Sequence, residues 1–135
     1  MQPKWFKDEI CDELEGACKY WKCAIDNMKT YPDWSECFKH MAEQEQDHAT
    51  NLYKMFMDMY TDIEEPDGYT KSLMEGVMEC FSTYMRKIEN HKITYEMMVK
   101  QEEREEMEES EEDVRDVESS MYAPHMMSSY MPDKE

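Results

Sequence analysis

Glu45 and His48 stand three apart in a segment whose apolar residues recur every three or four positions: Phe38, Met41, Leu52, Met55 and Met59. On a helix that spacing is one face, so a carboxylate and an imidazole occupy the middle of an otherwise apolar stripe. An earlier segment behaves the same way. Ile10, Leu14, Ala17, Trp21, Ala24 and Met28 form its stripe, and Glu13 lies three after Ile10 and four before Ala17. Tyr20, three after Ala17, shares that face. Asp12, Glu15, Lys19, Lys22, Asp26 and Lys29 hold the opposite side, so Glu13 is the misplaced acid.

A buried lone carboxylate is costly unless it is paired, hydrogen-bonded or metal-bound. Two carboxylates converging with a histidine repel each other, and a divalent cation reverses that repulsion. Oxygen and imidazole nitrogen at Glu-x-x-His spacing suit iron, manganese or zinc. Glu45 and His48 could equally form a buried ion pair at i, i+3. The convergence of Glu13 with them on facing stripes favours metal.

The elements that must position these residues follow from the chain breakers. Pro3 opens the chain, Tyr31-Pro32-Asp33 interrupts it, and Glu65-Pro66-Asp67-Gly68 interrupts it again. The intervals predict three helices, roughly 4–30, 34–63 and 69–110, with Asp33 or Ser35 capping the second and Asp67 or Thr70 the third. The third stripe reads Met74, Val77, Phe81, Tyr84, Ile88, His91, Tyr95 and Met98, with no acid on it. His91 is read there as a hydrogen-bonded core histidine. Past Val99 the apolar pattern fades and this helix is expected to fray or break. Residues 102–118 carry eleven acids and two Arg, a net of −9, too polar to fold alone. The expected division is a helical domain over 1–100, then an acidic helix extension and a disordered Met- and Tyr-rich tail over 101–135.

Composition bounds the rest. Among 135 residues there are 33 acids and 15 Lys and Arg, a net charge of −18, which excludes an electrostatic nucleic-acid binder and disfavours anionic membranes. Cations are the natural partners. Sixteen Met outnumber Leu, Ile and Val together, so the core must be Met and aromatic, and few β-branched residues with only 3 Gly point to an all-α fold. The polar N-terminus has no apolar signal core, and no run approaches a membrane span. The expected location is cytoplasmic, and Cys11, Cys18, Cys23, Cys37 and Cys80 are read as reduced thiols, mostly small buried hydrophobes.

The segment Glu13-Leu-Glu-Gly-Ala-Cys-Lys-Tyr20 resembles the Glu-x-x-small-x-x-x-Tyr pattern of the ferritin-like superfamily, especially rubrerythrin-type and encapsulated ferritins. Met41-Ala-Glu-Gln-Glu45-Gln-Asp-His48-Ala49 resembles the Glu-x-x-His-Ala helix of the same proteins, and the likeness covers roughly residues 9–60. The resemblance implies that Glu45 and His48 are metal ligands, Glu13 a bridging carboxylate and Tyr20 a tyrosine close to the site. It implies two metals inside a four-helix bundle, and chemistry that oxidises ferrous iron or reduces dioxygen or peroxide. A complete site needs a Glu and a Glu-x-x-His from each of two helix pairs, and the third helix supplies neither. This chain therefore holds half a site. Encapsulated ferritins meet the same shortage by dimerising, which implies an antiparallel hairpin completed to a four-helix bundle by a second copy, with a surrounding protein shell a further possible partner. The cysteine pairs of a rubredoxin module are absent.

The leading expectation is thus a dimetal-carboxylate protein that binds and oxidises iron, with Glu13, Glu45 and His48 as ligands and Tyr20 as hydrogen-bond or electron donor. One alternative is copper(I) handling by Cys11, Cys18 and the terminal Met121, His125, Met126, Met127 and Met131, since soft sulfur favours Cu(I). The other is a non-catalytic helical interaction protein whose Met-rich surfaces recognise partners.

Overall fold

The computed structural model describes the backbone of residues 2–122 and the side chains of residues 2–111. Its described residues form three helices and no strand: α1 (Pro3–Asn27), α2 (Pro32–Tyr60) and α3 (Gly68–Tyr122). Pro3 and Pro32 each sit in the first turn of their helix, where a missing N–H costs nothing. Asp67 starts α3 by accepting a hydrogen bond from the Thr70 N–H at 2.7 Å, as the spacing predicts. Neither Asp33 nor Ser35 caps α2. Pro32 takes the first helical position, and the buried Ser35 hydroxyl instead donates to the Ala24 carbonyl of α1 at 2.5 Å, tying the two helices at their turn.

α1 and α2 form an antiparallel hairpin. Phe6 of α1 meets Phe56 and Tyr60 near the end of α2, whereas Tyr20 stacks on Phe38 near its start. The α1 stripe is buried as its periodicity predicts, with Ile10, Leu14, Ala17 and Ala24 fully enclosed. The α2 stripe is not. Its buried line is Ser35, Ala42, Ala49, Phe56 and Tyr60, while Met41, Met55 and Met59 are exposed. From Ala42 onward, each buried residue follows an expected one by a single position, a rotation of about 100°. The reason is steric. Ala42 and Ala49 let the backbones approach where Met41 and His48 would hold them apart, and hydropathy alone does not register that difference.

α3 packs alongside with Val77 and Ile88 fully buried and Met74, Phe81, Tyr84 and Tyr95 against the same core. Tyr53 of α2 stacks on Phe81 with ring centroids 3.9 Å apart, and Trp21 of α1 meets Tyr95 edge-on at 5.6 Å. His91 is half-buried. The helix does not break past Val99; its backbone stays helical to Tyr122. Two compact units are distinguished, Met1–Glu96, which holds the core, and Met97–Glu135. In the second, side chains from 97 to 111 are exposed except for the half-buried Met98, Val99 and Glu102. The expected disordered tail lies largely outside the described residues. No described helix is long and apolar enough to cross a membrane.

The rotated α2 seam makes a direct prediction. In dilute metal-free protein, Phe56→Ala should lower the unfolding free energy by about 3–5 kcal/mol. Met55→Ala should change it by only about 0.5 kcal/mol or less. Urea denaturation distinguishes the two, and equal losses would restore the stripe read from periodicity.

Candidate metal centre

The hairpin brings Glu13, Glu45 and His48 together: one ligand atom from each lies within 4.8 Å of the others. Glu13 comes from the middle of α1, and the other two come from successive turns of α2, one Glu-x-x-His step apart. Among the described residues this is the one His, Cys, Asp and Glu group so arranged. His48 Nδ1 is 3.4 Å from Glu13 Oε2. That oxygen is shielded from solvent and accepts no hydrogen bond. The His48 side chain is 62% exposed and the Glu13 side chain 23%, so the cluster has a closed side on the hairpin and an open side at His48.

Electrostatics mark the same place. The Glu13 carboxylate beside it, through hydrogen bonding first, then burial, then charge repulsion, pushes the Glu45 carboxyl up from the usual 4.5 to about 7; His48 opposes the shift. Glu45 is therefore partly protonated near neutral pH. Gly16, one turn after Glu13, faces Glu45: a Cβ there would lie 3.4 Å from Glu45 Cδ and Oε2, in van der Waals contact with the carboxylate.

An unsatisfied, enclosed carboxylate oxygen, a second carboxylate driven towards protonation and an imidazole with an open approach are a fitting donor set for a divalent cation. Iron, manganese and zinc all accept these oxygen and nitrogen ligands. Tyr20 is not in the cluster. It lies seven residues, about 10 Å, along α1 from Glu13 and stacks on Phe38 with centroids 6.2 Å apart. Of the sulfur ligands weighed for copper(I), Cys11 faces Cys80 rather than Cys18, and the terminal Met and His side chains lie outside the described residues. Periodicity missed Gly16, although a small residue at that position belongs to the resembled pattern.

The raised Glu45 carboxyl sets a pH dependence. Protonated Glu45 is favoured more in the folded than in the unfolded chain, so its stabilisation is complete below pH 4.5 and is lost as pH rises through about 7. Metal-free protein should therefore lose stability across that window, and Glu45→Gln should flatten the slope. Urea midpoints at stepped pH test this; an unchanged slope in the variant would assign the dependence to other groups.

A family model described as Rubrerythrin matches residues 10–123, which include all of α2 and α3 and most of α1. No curated protein and no solved structure matches the chain. This chain, which carries the Glu13, Glu45 and His48 cluster on its helical hairpin, belongs to the Rubrerythrin family, within the ferritin-like superfamily of di-iron carboxylate proteins.

Proposed function

We propose that this protein binds ferrous iron and oxidises it at a site shared between two copies of the chain. The observation that carries the reading is the Glu13, Glu45 and His48 cluster, half a di-iron ligand set with an open side. Glu13 and Glu45 would bind or bridge the metals and His48 would bind terminally. Bound iron supplies the ferrous–ferric couple for reduction of dioxygen or peroxide. The chain's own residues do the rest. Glu45 would give up its proton to bind a cation, so affinity rises with pH through the range in which that carboxyl titrates. Tyr20, held against Phe38, would serve as a nearby electron donor rather than a ligand.

The surface around the open side supports a second copy as the completing partner. Met41, Met55 and Met59 stand exposed on the same flank of α2 as His48. Next to them Trp5, Phe6, Leu52, Met55, Asp58 and Met59 line a groove of about 370 Å³. An isologous pairing across this face would cover the apolar residues and face one cluster with another.

Anaerobic loading with ferrous iron, followed by metal analysis and sedimentation, tests the reading. Two irons per dimer are expected. Glu45→Ala combined with His48→Ala should weaken binding by more than the roughly 10–100-fold typical of losing an outer-shell partner. A chain that binds no iron, or binds it equally well without these two side chains, would overturn the proposal and favour a helical interaction protein.

A further inference from the structure

α1 and α3 are parallel and in register. Lys7 lies beside Gly76, Cys11 beside Cys80, and the Tyr84 hydroxyl donates to Glu15 at 3.0 Å. Cys18 feels the charge of Lys87. Every one of these pairs is 69 positions apart, and they recur along both helices at intervals of three and four. Ile10, Leu14, Val77 and Ile88, all fully buried, fix the two helices in that alignment. The approach of Cys11 to Cys80 is therefore set by the core and not by the thiols themselves. Their sulfurs are 2.6 Å apart and both side chains are half-buried. Nonbonded heavy atoms pack best at about 3.5 Å or beyond, so no side chain or water fits between them.

We infer that Cys11 and Cys80 are a peroxide-oxidisable pair that closes into a disulfide between α1 and α3. Hydrogen peroxide oxidises one thiol to a sulfenic acid and leaves as water. The second thiol attacks that sulfur, the S–S bond forms, and the sulfenic oxygen leaves as a second water. Two electrons pass from the two sulfurs to one peroxide, and both thiol protons end in water. Cys11 and Cys80 are the one pair of thiols in contact among the described residues, so Cys18, Cys23 and the exposed Cys37 have no partner thiol within the chain to close with. Closure adds a covalent bond where the helices already touch and leaves the carboxylate–imidazole cluster, which α1 shares with α2, in place. The pair is thus a modification site separate from the metal centre, and it does not depend on iron being bound.

The test treats full-length, metal-free protein with stoichiometric hydrogen peroxide and maps the product by nonreducing peptide mass spectrometry. The expected product is monomeric, lighter by two hydrogen atoms, with the Cys11 peptide joined to the Cys80 peptide. Its melting temperature should rise by about 10 °C, the scale expected when a disulfide closes a loop of this length. Reduction should reverse the rise, and Cys80→Ser should abolish both signals. Cross-links through Cys18, Cys23 or Cys37, bonds between chains, or oxidation of Cys11 to higher acids with Cys80 left free would each overturn the inference. The wild-type peptide map decides the matter even if the serine variant folds poorly.

Discussion

The close approach of α1 and α2 is the constraint on which the rest of this molecule depends. Ala17, Ala42 and Ala49 are fully buried, and Gly16 faces the Glu45 carboxylate. Small residues let the backbones come near enough for side chains on both helices to meet in one cluster. The consequence is electrostatic: Glu45 is brought beside Glu13, where neither pairs with a Lys or Arg among the described residues, and its carboxyl is pushed up to about 7. The Met-built core expected from composition does not form: among the described residues the buried core is Ala, aromatic and branched aliphatic, with Met28 its one Met. Small side chains, not adaptable ones, set the spacing where the two acids converge.

Much of this was legible in the residues. The α1 stripe needed only 3.6-residue periodicity, because Ile10, Leu14, Ala17 and Trp21 face a crowded core from every side. The site triad was legible for a related reason. An acid on an apolar stripe is an anomaly that periodicity exposes, and Glu13 and Glu45 are such anomalies. What could not be read was the rotation of α2. Met41, Met55 and Met59 are as hydrophobic as core residues, so pattern alone places them inside. Close packing against α1 at Ala42 and Ala49 set the rotation, and Phe56, one position after Met55, turned inward with them. His48 turned with them, which is why a residue expected on a buried face stands at the open edge of the cluster.

The persistence of α3 to Tyr122 has a similar origin. Loss of an apolar pattern says that a segment lacks a core to bury against, yet it says nothing against local helix propensity. Glu, Lys, Arg and Met are all good helix formers, and no Gly or Pro intervenes between Gly76 and Pro124. Residues 102–118 hold half of the net negative charge, apart from the two acids of the candidate site. The cysteines were also only partly readable. Their type suggested buried thiols, and most are half-buried, but the pairing of Cys11 with Cys80 depends on an inter-helix register that no local pattern reports.

The central claim is that the Glu13–Glu45 repulsion is relieved by a divalent cation. Calorimetry of manganese or zinc binding in buffers of different ionisation enthalpy measures this without redox chemistry. At about pH 6, binding should release protons, with the Glu45 carboxyl among their sources. That release should disappear, together with the binding itself, when Glu45 and His48 are both replaced by Ala. Metal binding without proton release, or binding that survives the double substitution, would contradict the claim that these carboxylates form the site.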